Sequence, residues 1–527
     1  MQNIAIIIIL LAVVTALAEI TDKIKIPYPI LLVLAGIGIG LFPGLPHITL
    51  DPDVVFLIFL PPILYAAAWT TSWADFKAAK RPITLLATGC VIFTTCAVAW
   101  IAHLFIPDLG WPEAFVLGAI ISPPDAIAAT SATKGLGVPK RVITVLEGES
   151  LVNDATGLIA YKYAVAAVVT GAFSLWHAGL QFFLVAGGGI AFGLALGWVF
   201  QWIHKITPDN PTTDTTLTFL SPFIAYLVAE SMHLSGVLAV VACGLFLSRK
   251  SSEIFSKQTR LQATGSWNTV IFILNGIVFI LIGLQLPVIL QNIGENSFVK
   301  LLGYGAIVSG AVIVGRIIWV YPGAYIPRLS RTIREREPET NLRLVTVVAW
   351  SGMRGVVSLA AALALPLTIE GSTPFPNRDL IIFLTFCVIF STLVLQGLTL
   401  RPLIQWLGIK ADDGEHRLEQ NARLQIASSV IEHIEENYSL ALSDEVLNQI
   451  KTKYEIRIQR IRKDQSRKMD EQQINEFHRI QQELLDKERQ LILTLRNTEK
   501  ISDEVLRKIE YELDLEETRL MLERGIQ

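Results

Sequence analysis

The chain has 527 residues, of which 52% are hydrophobic and only 17% are charged. This composition, together with long apolar stretches, is typical of a polytopic membrane protein and not of a soluble enzyme. The formal net charge of −3 does not itself bear on nucleic-acid binding, but no basic patch carries interleaved aromatic residues, so we expect no nucleic-acid partner. The four cysteines lie in apolar segments without disulfide or zinc spacing, so we expect no cofactor.

Hydropathy divides the chain into an apolar region, residues 1–409, and a charged amphipathic region, residues 410–527. Because an open sheet cannot span lipid, we predict an all-α membrane domain followed by a helical tail. The tail has helical spacing near 414–437, 444–464, 471–498 and 503–524. The first region contains about thirteen candidate transmembrane helices, at roughly 3–20, 28–42, 53–69, 82–106, 112–133, 147–171, 178–204, 216–232, 235–248, 266–290, 300–326, 342–366 and 377–406.

Loop charge predicts how these helices cross the membrane. Nearly all loop Lys and Arg residues follow odd-numbered candidate helices, whereas the loops after even-numbered ones carry only Lys300 and Arg378. The positive-inside rule therefore places the odd loops and the tail in the cytoplasm and the N-terminus outside. The first apolar segment has no Lys or Arg before it, so we interpret it as a retained span in the cell membrane and not as a secretory signal.

Two of the candidate helices are predicted to be broken. Pro123 and Pro124 remove two backbone donors from the fifth helix and cannot continue a regular helix. In the twelfth helix, Gly352 and Gly355 flank Arg354, and glycine is unfavourable in a helix interior. An odd number of helices permits two inverted six-helix repeats joined by the seventh, in which these two helices correspond and cross.

Acids at membrane depth mark the candidate site. Asp125 follows the proline pair, and Asp154 ends a Gly-Glu-Ser-Leu-Val-Asn-Asp stretch in the sixth helix. An acid at this depth is a functional hypothesis by default, and a broken helix there lines a cavity. Ser150 shares a helix face with Asp154. Carboxylates, a hydroxyl and free carbonyls suit a small cation, so we predict a Na⁺ site at Asp154, Asp125 and Ser150, supported by Asn153.

A second acid in the sixth helix is predicted to be structural. Glu149 points about 140° away from Asp154 at 100° per residue. An unpaired guanidinium at this depth is costly, so Arg316 and Arg354 each need a carboxylate or carbonyl partner. We therefore expect Glu149 to pair with one of these arginines.

Other interpretations of the two aspartates remain open. Asp125 could serve only as a helix cap, and Asp154 could be the salt-bridge partner of an arginine or of Lys162. A cation channel would use the same residues without coupled proton movement. A diaspartyl intramembrane protease would need Asp125 and Asp154 to share a water, and its Gly-x-Gly-Asp motif is missing from the sequence.

Three motifs together resemble the sodium/proton exchanger family, in particular its NhaP-type bacterial branch with an Asn-Asp pair. They are the stretch 148–154, the Ser-Pro-Pro-Asp at 122–125 and the Gly-Met-Arg-Gly at 352–355. The likeness covers roughly residues 1–405. It implies a thirteen-helix homodimer with a dimerisation domain and a mobile core.

The resemblance also implies residue roles. Asp154 would bind cation and proton alternately, supported by Asp125 and Ser150. Glu149 would form a buried ion pair with Arg316.

The arginine of the second break, Arg354, would stabilise the core there.

The chain departs from the family at two positions. Pro124 stands where relatives often have Thr or Ser, and Ala66 stands after the Leu-Pro-Pro motif where many relatives have an acid. Each departure removes a possible oxygen ligand, so the order of preference among Na⁺, Li⁺ and K⁺ stays open.

The sequence as a whole predicts a non-enzymatic, electroneutral monovalent cation/proton antiporter that serves pH and sodium homeostasis. Burial disfavours the charged form of a carboxylate, so only the cation-bound or protonated form of Asp154 would cross the barrier. Asn153 stands where a second acid would suggest electrogenic exchange.

Overall fold

The computed structural model describes most of the chain, in the following residues: 2–24, 27–41, 55–133, 135–171, 175–207, 210–292, 298–336, 341–369, 373–409, 413–438, 451–452, 454–455, 458, 471–497, 509–510 and 512–518. The chain forms two compact units, Met1–Ala411 and Asp412–Gln527. The first unit contains the apolar helices and the candidate site.

The described residues of the first half of this unit form helices and the short turns that join them. Its helices are α1 Gln2–Ile24, α2 Tyr28–Gly40, α3 Leu60–Thr70, α4 Trp73–Ala78, α5 Lys80–Thr84, α6 Val91–Phe105, α7 Trp111–Ile121, α8 Ala126–Thr133 and α9 Lys140–Thr170. Short π-helical turns precede α3, at Val55–Phe59, and join α5 to α6, at Leu85–Cys90.

The second half continues with long helices and one small hairpin. Its helices are α10 Leu175–Ile206, α11 Pro211–Ser231, α12 Gly236–Ile254, α13 Lys257–Asn292, α14 Phe298–Tyr325, α15 Arg331–Arg336, α16 Leu342–Trp350, α17 Val356–Leu363, α18 Arg378–Ser391 and α19 Gly397–Trp406. A 3₁₀ turn, Ile326–Leu329, follows α14, and a π turn, Thr392–Gln396, joins α18 to α19. Strands β1, Thr368–Ile369, and β2, Thr373–Pro374, pair antiparallel.

Each predicted membrane segment coincides with a helix or with a pair of helices. By length and composition alone, six spans in the described residues qualify as crossing a membrane, and shorter apolar helices accompany them. The boundary prediction was least accurate at α13, which begins at Lys257 and not near 266. Charged residues in its first two turns hide this start from a hydropathy pattern.

Two hydrophobic clusters hold the unit together. The first draws its buried residues mainly from α7, the second half of α13, α14 and α18. The second centres on α3, α12 and the first turns of α13. Helix α9 contributes to both, because Leu146 and Ala164 belong to the first cluster and Leu151 and Ala155 to the second. Helix α9 therefore lies at the boundary between the two clusters.

Both predicted helix breaks are present, and they meet. Helix α7 ends at Ile121 before α8 begins at Ala126, and α16 ends at Trp350 before α17 begins at Val356. The backbone N–H of Asp125 donates to the carbonyl of Met353 at 2.7 Å. Each break thus satisfies backbone groups of the other, which is what allows irregular backbone to persist inside a membrane domain.

The second unit contains α20, Asp413–Tyr438, and α21, Glu471–Asn497. Leu485 and Ile492 of α21 pack against Leu513, and hydrogen bonds from Arg489 to Asp514 and Glu517 raise the pKa of that arginine. The predicted helices at 444–464 and 503–524 fall largely outside the described residues.

Candidate cation site

Asp125 lies where the two helix breaks cross. Its Oδ1 accepts a hydrogen bond from the N–H of Ile127 at 2.8 Å and so caps the first turn of α8. Its carboxyl group also faces Gly355, where an added methyl would lie 2.7 Å from the carboxyl carbon. Asp125 therefore acts as a helix cap, and the same carboxyl group lies against the start of α17.

Two side chains of α9 tie that helix to the first break. The hydroxyl of Ser150 accepts a hydrogen bond from the N–H of Ala126 at 3.3 Å. The side-chain amide of Asn153 donates to the carbonyl of Pro124 at 2.9 Å. The backbone at 122–125 is not helical, so a carbonyl such as that of Pro124 has no helical partner. Ser150 and Asn153 therefore hold the broken backbone against α9, beside Asp154.

Asp154 is buried, with 7% of its surface exposed. Within the described part of the chain, no hydrogen bond or ion pair reaches its carboxyl group. The lysine considered as its partner, Lys162, instead forms an ion pair with Glu230 at 2.9 Å. Asp154 is thus buried near Asp125, with no positively charged partner among the described residues.

A cavity of about 480 Å³ gives access to these groups. Asp125, Ser150 and Asp154 line it together with Glu147 and aromatic side chains of α3, of the π turn before it and of α13. The remaining walls include Trp69 at the end of α3 and Thr264 near the start of α13. Both positions adjoin loops rich in Lys and Arg. The cavity therefore extends from the candidate site toward the side that the loop charges assign to the cytoplasm.

Glu149 and Arg316 form a buried ion pair. Both side chains are at most 1% exposed. The Nη1 and Nη2 atoms of Arg316 donate to the two carboxylate oxygens at 2.5 and 2.8 Å, in a two-pronged geometry. The same guanidinium donates to the carbonyl of Val348 in α16. The pair therefore joins α9 and α14 to the helix before the second break.

Arg354 satisfies carbonyl groups that the helix breaks leave free. Its Nε donates to the carbonyl of Ile121 at 2.9 Å and its Nη2 to that of Ser122 at 3.2 Å. Its Nη1 donates to the carbonyl of Gly352. The backbone N–H of Arg354 is in turn bound by the hydroxyl of Thr392 at 3.1 Å. One buried cation thus connects the C-terminal end of α7 with the second break.

Two residues, Glu230 and Ser358, occupy prominent positions for which the sequence predicted no role. Glu230, besides binding Lys162, accepts a hydrogen bond from the N–H of Gly236 at 3.1 Å, at the start of α12. Ser358 lines the cavity from α17. Its position one turn after Gly355 was a usable signal, because residues three apart share a helix face.

The sequence profile described as "Sodium/hydrogen exchanger, transmembrane" matches residues 8–406. The chain belongs to this family. The match contains both helix breaks and all of the acids and arginines described in this candidate site.

The chain is similar to proteins that are described as cation/proton antiporters or exchangers. The "Sodium, potassium, lithium and rubidium/H(+) antiporter" of Bacillus pumilus is 37% identical over 389 residues, which cover 72% of this chain and 58% of that protein. An uncharacterised Na⁺/H⁺ exchanger of Mycobacterium tuberculosis is 34% identical over 98% of this chain and 96% of its own length. The chain therefore spans little more than half of the first relative and nearly all of the second.

The fold of the exchanger resembles that of a solved antiporter. The sodium proton antiporter MjNhaP1 from Methanocaldococcus jannaschii, solved at pH 8, aligns with a TM-score of 0.60 and 20% identity. The alignment covers 77% of this chain and 99% of the solved one. The predicted all-α sodium/proton antiporter fold is thereby confirmed.

Proposed function

We propose that this exchanger is an electroneutral monovalent cation/proton antiporter that uses Asp154 as its exchange group. Na⁺ is the expected cation, with Li⁺ and K⁺ as alternatives. One observation carries the proposal. Asp154 is a buried carboxyl group without a hydrogen-bond or ion-pair partner in the described residues, and it lines a cavity beside Asp125 and Ser150.

Competition for one carboxylate accounts for coupling. An ionised, unpaired carboxylate is unstable away from water, so Asp154 has to take up either a proton or a cation. Oxygens of Asp125 and Ser150 complete a set of hard ligands suited to an alkali cation. Because the uncompensated anion cannot be carried across the barrier, outward proton movement and inward cation movement, or the reverse, are obligatorily linked.

The neighbouring charges stay fixed while Asp154 changes partner. Glu149 is already neutralised by Arg316, and the guanidinium of Arg354 is held by carbonyls of both breaks. Neither arginine forms an ion pair with Asp154 among the described contacts. Asp125 is held as the cap of α8 by the N–H of Ile127, so Asp154 is the group that changes partner in the proposed cycle, and one cation exchanges for one proton.

The direction of the cavity supports a conformation that is open to the cytoplasm. Its walls adjoin the basic loops, and the Lys162–Glu230 ion pair lies toward the opposite ends of α9 and α11. We further propose that the protein is a homodimer in the cell membrane, with its N-terminus outside and its tail in the cytoplasm. It needs no cofactor, catalyses no covalent reaction and serves pH and sodium homeostasis.

A direct test uses everted vesicles that contain the protein and a pH-sensitive dye. We expect Na⁺, Li⁺ or K⁺, each added separately, to dissipate an imposed proton gradient. Vesicles without the protein are the control. Cation flux far above carrier rates, with no accompanying proton movement, would identify a channel and contradict the proposal.

A further inference from the structure

Ser358 has a hydroxyl group that is buried and unused. The residue is 2% exposed, and its Oγ has no hydrogen-bond partner among the described residues. Hydroxyl groups in helices commonly donate to a carbonyl three or four residues earlier, as those of Ser122, Thr130 and Thr392 do here. A buried hydroxyl without a partner is costly, and it often marks the position of a water or an ion.

Two other buried serine or threonine hydroxyls, those of Ser351 and Thr385, also lack a partner in the described chain. Ser358 differs from both because it lines the cavity that contains Asp125, Ser150 and Asp154. Burial alone therefore does not single out Ser358. Ser358 stands out because its oxygen has no hydrogen-bond partner among the described residues and because it also lines the cation cavity.

Helix geometry directs Ser358 toward the candidate site. Gly355, three residues earlier, lies so close to the Asp125 carboxyl group that an added methyl would collide with it. Gly355 is the N-cap of α17 and Ser358 is the third residue of that helix, whose side chain lies close to the N-cap. Ser358 is therefore on the face of α17 that is turned toward Asp125, one turn further along the helix.

We propose that Ser358 supplies a further oxygen ligand to the transported cation. The ligand set then draws on three separate segments: Asp125 at the first break, Ser150 and Asp154 on α9, and Ser358 on α17. A neutral hydroxyl can bind a cation but cannot take up the exchanged proton at neutral pH. Ser358 therefore favours the cation over the proton in the competition for the site. This inference rests on the proposed antiport function.

The test compares cation affinity with transport capacity in liposomes. Ser358→Ala should raise the apparent KM for Na⁺ about tenfold, the usual scale for losing an oxygen bound to a charged group. The maximal rate at saturating Na⁺ should change little. Ser358→Thr, which keeps the hydroxyl, should retain the original KM. Thr385→Val removes an equally buried hydroxyl away from the cavity and should leave the KM unchanged.

A second readout does not require transport. Na⁺ should raise the Tm of the purified protein, since a ligand bound only to the native state stabilises it, and Ser358→Ala should need about tenfold more Na⁺ for the same rise. If Ser358→Ala does not fold, Ser358→Cys replaces it, because sulfur is a poor ligand for hard cations.

The outcomes separate the two proposals. If Na⁺ raises the Tm but no antiport is measured, the antiport function is refuted. The role of Ser358 is then decided by the difference between wild type and Ser358→Ala in the Na⁺ concentration needed for the same rise in Tm. An unchanged KM and an unchanged Na⁺ dependence of Tm in Ser358→Ala would overturn that role. It would also be overturned by equal effects of Ser358→Ala and Thr385→Val, or by a wild-type protein that no monovalent cation stabilises.

Discussion

Glu149 and Asp154 lie little more than one turn apart on α9, yet their surroundings are opposite. Glu149 is enclosed and bound at both oxygens by Arg316. Asp154 has no such partner in the described chain and lines a cavity. A carboxylate that is already compensated can strengthen the fold, whereas one that is not must take its counter-charge from solution. The same residue chemistry therefore gives a structural site at one position and an exchange site at the other.

The largest effect is expected from removing the uncompensated acid. Asp154→Asn keeps the shape of the side chain but can neither release a proton nor neutralise a cation, so exchange should fall to the level of vesicles without protein. Cation-induced dequenching in everted vesicles measures it. The amount of folded protein should stay normal, because no bond to Asp154 from the described residues is lost.

Asp75→Asn provides a matched control. Asp75 is a partly exposed acid paired with Lys140 outside the cavity, and its replacement should leave exchange intact. Retained cation-driven proton movement in Asp154→Asn would refute the assignment of Asp154 as the exchange group.

Removing the compensated acid should act on stability instead. Glu149→Ala or Arg316→Ala leaves one buried charge without its partner, which costs about 3–5 kcal/mol. We expect lower yields of folded protein and a lower Tm. The exposed pair Arg331–Glu335 is the control, because breaking a surface pair costs about 0–1 kcal/mol.

A double-mutant cycle tests whether the two residues act together. Tm is measured for Glu149→Ala, Arg316→Ala and the combination. The double variant should lose less stability than the sum of the single losses. Strictly additive losses would mean that the contact contributes nothing.

The sequence alone predicted the different roles of Glu149 and Asp154, but it did not predict every partner. The 100° helical step already separated Glu149 from the Ser150–Asp154 face, and the Pro and Gly positions located both helix breaks. Spacing alone left open which arginine Glu149 would bind. The choice depends on a contact between residues 167 positions apart in the chain, which no local pattern encodes.

The same limit explains what sequence reasoning missed. The crossing bond from Asp125 to Met353, the Lys162–Glu230 ion pair and the unused hydroxyl of Ser358 all depend on how separate helices pack. Hydropathy and motif spacing report single segments, whereas these features exist only between segments.

A smaller effect is expected from a substitution at Gly355, where the second helix break contacts Asp125 of the first. Gly355→Ala would press a methyl group against the Asp125 carboxyl, and overpacking of this kind costs about 1–3 kcal/mol. We expect a raised KM for Na⁺ and a moderate loss of Tm. Gly310→Ala in α14, where nothing lies within 4 Å of an added methyl, should leave both values unchanged. An equal effect of the two variants would show that the approach to Asp125 is unimportant.

The smallest expected effect is that of membrane potential on the unmutated protein, which should be nil. Asn153 is buried and donates to the carbonyl of Pro124, so it supports the break without carrying a charge. One cation then exchanges for one proton through Asp154, and no net charge crosses. Na⁺ uptake into liposomes clamped with potassium and valinomycin should be the same at every potential.

Asn153→Asp tests whether a further uncompensated acid next to Asp154 changes the charge that is moved in each cycle. It removes the donor to Pro124 and places a second carboxylate beside Asp154, where like charges disfavour simultaneous ionisation. If this variant folds, its uptake should become sensitive to potential, because two titratable groups can then take part in one cycle. Asn153→Ala also loses the hydrogen bond but gains no charge, so it should remain insensitive. An imposed potential that drives Na⁺ uptake by the wild type would contradict one-for-one exchange and require a second charged group in the transport cycle.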